Sequence, residues 1–504
     1  MEPPPLQHPI DEPGAAAPAA GDRLARLLRE TSELAIDYLR GLPARRVGAR
    51  GSREQLAAAL GGPLPESGEE AAEVVRALAA GADPGLIASA GPRYFGFVIG
   101  GSVPASLAAD WLTSAWDQNA GIYATSPAAS VVEEVAAGWL LELLRLPPGA
   151  SVGFVTGCQM AHTTALAAAR NGLLRRAAWD VEEWGLAGAP PIHIVIGAEA
   201  HVTVLRALRL LGFGSRSPSV VPTDSQGRMD ARALRAVLAG RSGPTLICAQ
   251  AGNVNSGAFD PLADIAEVAR CHEAWLHIDG AFGLWAAASP AHRHLVAGAE
   301  LAQSWAVDGH KWLNVPYDSG IAIVADPAAH RAAMTASAAY LQQQEGRDAL
   351  DWVPEFSRRA RGFTVYAALR ALGRRGVAEL VDNCCRNARY MASLLRAEPA
   401  VEILNKVVLN QVLVRFHPGR RPQSDSSLPR ERRLGGGPAD ELTRATVRRV
   451  QRNGVCWLGG TTWHGMAAMR ISISGWATSE SDVEASAAAI LAAARAEIAA
   501  GGGA

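Results

Sequence analysis

The sequence predicts an α/β chain: a mostly parallel sheet covered by helices on both faces, then a smaller α+β domain. Three observations carry this. From about residue 150, short apolar runs alternate with stretches of helical period. The residues with chemistry to offer, Gly157–His162, His201, Gly252–Gly257, Asp279 and Asp308–Lys311, fall at the ends of the apolar runs, and ligands of open parallel sheets sit at the carboxyl ends of the strands. After about residue 370 the texture changes to short strands and long helices around a Pro-, Gly-, Ser- and Arg-rich loop at 418–438.

Taken in order, residues 1–20 are rich in Pro and Ala and are expected to be disordered. Asp22–Leu42 places Leu24, Leu27, Leu28, Leu34 and Leu39 near helical spacing, an amphipathic arm that needs a partner surface. The arm region runs over 21–95 and ends in an aromatic, turn-rich stretch holding Tyr94, Phe95 and Phe97. The large domain, 96–370, reads as strand Ser151–Thr156, helix Ala161–Ala178, strand Ile192–Ile196, helix Val202–Leu211, strand Thr245–Gln250, helix Leu262–His272 and strand Trp275–Ile278. Uninterrupted apolar strands of this kind suit a sheet buried on both faces. The small domain, 371–504, reads as strands Val401–Leu404, Gln411–Phe416 and Met469–Ile473 with helices Ala439–Arg452 and Ser479–Ala500.

Composition narrows the function. The 504 residues are 49% hydrophobic and 19% charged, with a net charge of -1. Nucleic acid is therefore not the expected partner, because binding it draws on a surplus of basic residues. Met1–Gly21 carries no basic residue and no apolar core, which argues against an export signal. No uncharged apolar run reaches the ~20 residues of a membrane span. The six cysteines, 158, 248, 271, 384, 385 and 456, form no Cys-x-x-Cys pair, so no metal site is expected and reduced thiols in a cytoplasmic protein are.

Lysine usage is more informative. Of 48 basic residues only Lys311 and Lys406 are lysines. Arg cannot replace Lys where a neutral amine must act as nucleophile. Lys406 reads as a surface residue, whereas Lys311 follows Asp308-Gly-His310 just past a strand end. His277-Ile-Asp-Gly-Ala281 puts Asp279 at the same edge of the sheet. A lysine for a Schiff base, a carboxylate for a protonated pyridine nitrogen and histidines for stacking suit a pyridine aldehyde cofactor. The turn Thr156-Gly-Cys-Gln-Met-Ala-His162 leads from strand to helix and aims backbone N–H groups at an anion. His201 opens the next strand–helix unit.

On Asp279-Gly-Ala281, Asp308-Gly-His-Lys-Trp312 and Pro354-x-x-Ser-Arg-Arg-x-Arg361, in this order and separation, the chain resembles the pyridoxal-phosphate-dependent group II amino acid decarboxylases over roughly residues 85 to 480. The family includes aromatic amino acid, histidine, glutamate and diaminobutyrate decarboxylases. The resemblance implies a fold type I transferase architecture with a seven-stranded sheet, a homodimer, and an amino acid as substrate. It implies that Lys311 holds pyridoxal 5′-phosphate, Asp279 bonds the ring nitrogen, Ala281 packs beneath the ring and His201 stacks above it. His310 and the turn of Gly157, Cys158 and Gln159 would contact the phosphate. Asp308 stands where some members have Asn. Tyr340 matches a loop tyrosine that reaches across the dimer and returns a proton to Cα.

Two departures leave the substrate open. Cys158, Gln159, Met160 and His162 stand where the family's phosphate turn is rich in Gly and Ser or Thr, and Gly252-Asn-Val254 stands where it has Gly-Thr-Thr. Asn253 is then the candidate near the ring's phenolic oxygen. Arg358, Arg359 and Arg361 read either as acid-binding groups or as a helix-start ion-pair cluster, and Arg470 as a carboxylate ligand of the small domain. Cys158 reads either as a tuned thiol at a helix N-terminus or as a small filler of a tight turn. The competing functions are an aminotransferase or an aldehyde-forming or carbon–carbon lyase on the same fold, and a non-catalytic binding protein. Tyr340 favours decarboxylation.

Overall fold

The computed structural model describes residues 20–336, 346–419 and 437–501. Residues 1–19 of the expected disordered start (1–20), Tyr340 and most of the 418–438 loop lie outside the described residues, while Ala20 already begins a helix. The chain divides into two compact units, 1–88 and 89–504.

In the first unit, helices α1 (Ala20–Gly41), α2 (Arg53–Leu60) and α3 (Ala71–Ala82) are joined through charge pairs. Arg45 and Arg50 share Asp83 at 2.6 and 2.7 Å, and Arg76 meets Glu30 at 2.8 Å. Ser52 and Gln55 form a reciprocal capping box at the start of α2. Leu24, Leu28, Leu34 and Ile36 of α1 are exposed, so the amphipathic helix keeps an uncovered apolar side.

The second unit opens with α4 (Pro104–Trp116) and α5 (Pro127–Leu143), each with proline in its first turn, where a missing N–H costs nothing. The main sheet holds β1 (Ser151–Val155), β2 (His193–Gly197), β3 (Ser219–Val221), β4 (Thr245–Gln250), β5 (Trp275–Asp279), β6 (Ser304–Asp308) and β7 (Gly320–Val324), in the order β1-β7-β6-β5-β4-β2-β3. All neighbours pair in parallel except β7, which runs antiparallel to both β1 and β6. Every residue of β4, β5, β6 and β7 is buried, as a sheet covered on both faces requires. The helices that cover it include α6 (Cys158–Arg176), α7 (Val181–Trp184), α8 (Val202–Leu210), α9 (Ala231–Leu238), α10 (Leu262–Cys271) and α11 (Pro327–Met334). Asp180, Asp230 and Asp326 cap α7, α9 and α11 by accepting backbone N–H bonds.

Register positions the site. Val155 of β1 and Asp308 of β6 both pair with Gly320 of β7, so the ends of β1 and β6 lie either side of one residue. A Cβ at Gly320 would come within 2.4 Å of Gly157 backbone atoms; only glycine permits that approach.

Helix α12 (Gly362–Arg396) is interrupted at Gly373, where φ is +61°. Beyond it, β8 (Val401–Ile403), β9 (Gln411–Phe416), β10 (Gly459–Trp463) and β11 (Met466–Ser472) form an antiparallel sheet in the order β10-β11-β9-β8. Helices α13 (Pro438–Asn453) and α14 (Glu480–Gly501) share one core with it, through Val447, Val450, Val483 and Ile490 against Val412, Phe416 and Ile471. The elements expected from the sequence are present within a few residues of their bounds. β10 escaped notice because Gly459-Gly-Thr-Thr462 is neither apolar nor alternating.

The arginine cluster is structural. Arg358 is fully buried, pairs with Glu133 at 2.7 Å, and donates to the carbonyls of Ala120 and Phe154. Arg359 pairs with Asp110 at 2.8 Å and Arg361 with Asp318 at 2.7 Å. Arg358→Met leaves Glu133 buried without its nearest cation, which should cost about 3–5 kcal/mol. Urea unfolding measures this, and Arg358→Met with Glu133→Met should recover much of the loss.

Candidate active site

Asp308 ends β6 with its carboxylate buried, and Lys311 follows in the π-helical turn Gly309–Leu313. That turn carries Lys311 Nζ back to Asp308 Oδ2 at 2.8 Å. Asp308 Oδ1 accepts the backbone N–H of Cys158 at 2.5 Å, in the first turn of α6. One carboxylate thus holds the amine and the helix N-terminus together. Its backbone is fixed as well: Asp308 donates its N–H to Ala281 O at 2.9 Å, and its carbonyl accepts the indole N–H of buried Trp285 at 3.1 Å.

Burial pulls the Lys311 amine down, but Asp308, with Cys158 and Asp279 adding, outweighs it and holds the pKa above the ordinary lysine value. The uncharged amine is therefore scarce near neutral pH until something else neutralises Asp308.

Asp279 ends β5, in register with Gln250 and Ala306. Its Oδ1 accepts the N–H of Ala281 at 3.1 Å, so the carboxylate and the small residue after it form one tight turn. His310 Nε2 lies 3.5 Å from Asp308 Oδ1, and His310 Nδ1 accepts the N–H of Ser319 at 3.1 Å. The ring stacks on Tyr317 with centroids 4.3 Å apart, and a Cβ at Gly157 would lie 3.0 Å from it. Burial, followed by Asp308 opposing and Lys311 reinforcing, lowers the His310 pKa.

His201 caps α8, its Nδ1 2.7 Å from Thr203 Oγ1 and accepting the N–H of Thr203 at 3.4 Å. Burial lowers its pKa first; Asp279 opposes, and Lys311 and Arg470 reinforce. The same charges therefore surround His201, Asp279 and Lys311. Arg470, on β11, is half-buried, and among the described residues no carboxylate pairs with it.

The residues singled out in the sequence separate into two groups. Gly157, Cys158, Asp279, Ala281, Asp308, His310 and Lys311 are linked by the contacts above, and His201 shares their field. Gln159 turns aside, donating from Nε2 to the carbonyl of Thr203 at 3.3 Å. Asn253 spends its amide on its own loop: Oδ1 accepts the N–H groups of Asn255 and Ser256, and Nδ2 donates to Glu199 O at 3.4 Å. Cys158 is the filler rather than the tuned thiol, since burial, with Asp308 and Asp279 adding, pushes its pKa well up. Phe95 is core, Tyr94 stacks on Trp457 with centroids 5.1 Å apart, and Phe97 is exposed. Lys406 is on the surface.

Sequence reasoning missed a buried polar row behind Asp279. His162 Nε2 lies 3.6 Å from Asp279 Oδ2 and 3.5 Å from Cys158 Sγ. His162 Nδ1 bonds His277 Nε2 at 2.9 Å, and His277 Nδ1 bonds Ser304 Oγ at 2.9 Å. Spacing places His277 on the same strand face as Asp279 and His162 one helical turn after Cys158, but the pairing of the two rings joins a helix to a strand 115 residues apart.

Comparison with known proteins identifies the family. The pyridoxal-dependent decarboxylase conserved domain matches residues 54–417. Tryptophan decarboxylase 1 of Oryza sativa subsp. japonica is 28% identical over 412 residues, 77% of this chain and 78% of that protein. L-2,4-diaminobutyrate decarboxylase of Rhizobium meliloti (strain 1021) is 29% identical over 383 residues, 74% of this chain and 71% of that protein. The structure of Oryza sativa TDC with PLP and tryptamine matches with a TM-score of 0.85 at 24% identity, over 95% of this chain and 99% of that one, which shows the shared fold. The chain belongs to the pyridoxal-dependent decarboxylase family: it is a pyridoxal-phosphate enzyme that takes carbon dioxide from an amino acid and leaves the amine.

Proposed function

We propose that Lys311 is the amine that anchors pyridoxal phosphate, and that the residues linked to it divide the work of the decarboxylation. The observation that carries this is the bridge of Asp308 between Lys311 Nζ and the Cys158 N–H. It brings an amine and the N-terminus of a long helix to the ends of adjoining parts of one sheet. The donor set suits the cofactor: an amine for the aldehyde, a helix start for the phosphate, and Asp279 for the ring nitrogen.

When bound, the cofactor supplies an electron-withdrawing ring that accepts the pair released as the carboxylate departs. The chain's own residues do the rest. In this reading Asp279 accepts the proton-bearing ring nitrogen at the closed end of the site. Ala281, without bulk beyond Cβ, leaves room for a flat ring, and His201 covers its other face. His310 and the Gly157–Gln159 turn hold the phosphate. Arg470 takes the substrate's carboxylate, supported by its burial without a paired acid among the described residues. Tyr340 returns a proton to Cα, and its loop belongs with a second subunit, so the enzyme works as a homodimer. The uncovered apolar side of α1 supports that assembly. The thiols, all free, suit the cytoplasm.

Three outcomes test this reading. Lys311→Ala should abolish the visible cofactor absorbance and its loss on borohydride reduction; a reducible chromophore in the variant would move the anchor elsewhere. The raised Lys311 pKa makes the uncharged amine rarer at low pH, so cofactor uptake by the stripped enzyme should speed up as pH rises through 7 to 9, by about tenfold per unit while the amine stays mostly protonated. Asp308→Asn should lift the rate at pH 7 and flatten that slope, as stopped-flow absorbance would record. Tyr340→Phe should keep the cofactor yet cut amine formation ~10²-fold, with sedimentation still showing a dimer. Amine made at the parent rate would make Tyr340 a packing residue.

A further inference from the structure

Behind Asp279 stands a row of buried groups that no contact with substrate explains. Trp275 Nε1 donates to Ser304 Oγ at 2.9 Å. Ser304 Oγ meets His277 Nδ1 at 2.9 Å, His277 Nε2 meets His162 Nδ1 at 2.9 Å, and His162 Nε2 faces Asp279 Oδ2 at 3.6 Å. His162, His277 and Ser304 have no exposed surface. Burying so many polar atoms is unfavourable unless each is satisfied.

The two ends fix the direction of the row. Indole N–H can only donate, so Ser304 Oγ accepts from Trp275 and its own proton is free to go to His277 Nδ1. Burial first, with His201 reinforcing, pushes His162 down to about 3, and burial, with His162 reinforcing, pushes His277 well below the ordinary histidine value, so each ring is neutral and carries one N–H. With Nδ1 of His277 accepting, its Nε2–H donates to His162 Nδ1. The remaining proton of His162 then sits on Nε2 and points at the Asp279 carboxylate. The reverse direction leaves the Ser304 proton without an acceptor in this row and turns the imidazole lone pair toward a carboxylate, with only the weak Cys158 S–H as a donor to it. It is the poorer arrangement on both counts.

The other oxygen, Oδ1, already holds the Ala281 N–H. Asp279 thus has the turn after its strand bonded at Oδ1 and the histidine row from α6 facing Oδ2 at 3.6 Å. We propose that His162 is a positioning residue for the cofactor, and that the row from Trp275 through Ser304 and His277 to His162 aims the Asp279 carboxylate at the pyridine nitrogen. This rests on the assignment of Asp279 to that nitrogen. The side chain at 162 need not touch cofactor or substrate; its Nε2 lies between Asp279 Oδ2 at 3.6 Å and Cys158 Sγ at 3.5 Å.

The test compares two ligands on the full chain, stripped of cofactor and reloaded: pyridoxal phosphate, and its 1-deaza analogue, in which a C–H replaces the ring nitrogen. Equilibrium dissociation constants are read by fluorescence. The parent enzyme should prefer pyridoxal phosphate. His162→Phe, which fills the space without a donor, should lose about tenfold or more of that preference, the scale of one hydrogen bond to a charged group, while the analogue binds as before. His162→Gln, which restores an N–H of similar reach, should recover part of it. Ser304→Ala, at the far end, should lower the preference by a smaller factor and so tests the row even if His162→Phe does not fold. An equal loss for both ligands in His162→Phe, or an unchanged preference in Ser304→Ala, would overturn the proposal. A parent enzyme without any preference would instead overturn the assignment of Asp279.

Discussion

The site depends on one short-range interaction, the carboxylate of Asp308 shared between an ammonium and a helix N-terminus. Neither partner would stay in place alone. A buried amine without a counter-charge loses its proton or its position, and a helix start without an acceptor leaves backbone donors unmet. Placing one carboxylate between them satisfies both and sets their separation. It also explains why Lys311 remains protonated while the site awaits something that needs its lone pair.

Sheet order makes the arrangement possible. β1 enters the fold far from β6 in sequence, and only the antiparallel β7 between them brings Gly157 beside Asp308. Asp279 and Asp308 end neighbouring parallel strands, so their carboxylates emerge on the same edge. The long-range contacts of the site are consequences of strand pairing rather than of local sequence.

That difference separates what was legible in the sequence from what was not. Lys311, Asp308, Asp279 and Ala281 stood out because strand ends and an uncommon lysine are local signals. Strands β1, β2, β4 and β5 announced themselves as uninterrupted apolar runs, whereas β3 and β7 went unread. Asn253 could not be placed from its neighbours, because an amide near a glycine turn reads alike whether it faces a ligand or ties its own loop; its bonds to Asn255, Ser256 and Glu199 show the loop contacts. The Arg358 cluster likewise needed its partner Glu133, distant in sequence, before it could be told from an acid-binding group. His162 and His277 were visible singly, but their pairing spans a helix and a strand, and no spacing within either element reveals it.

The contact of Gly320 with Gly157 has a further consequence. There the width of the site at the helix start is set by main chain against main chain, with no side chain between. Exchanging side chains elsewhere cannot widen or narrow that end, whereas Arg470 stands on β11 of the other sheet and is free of this constraint. The helix start is therefore a gauge of constant calibre, whatever side chains the rest of the fold carries.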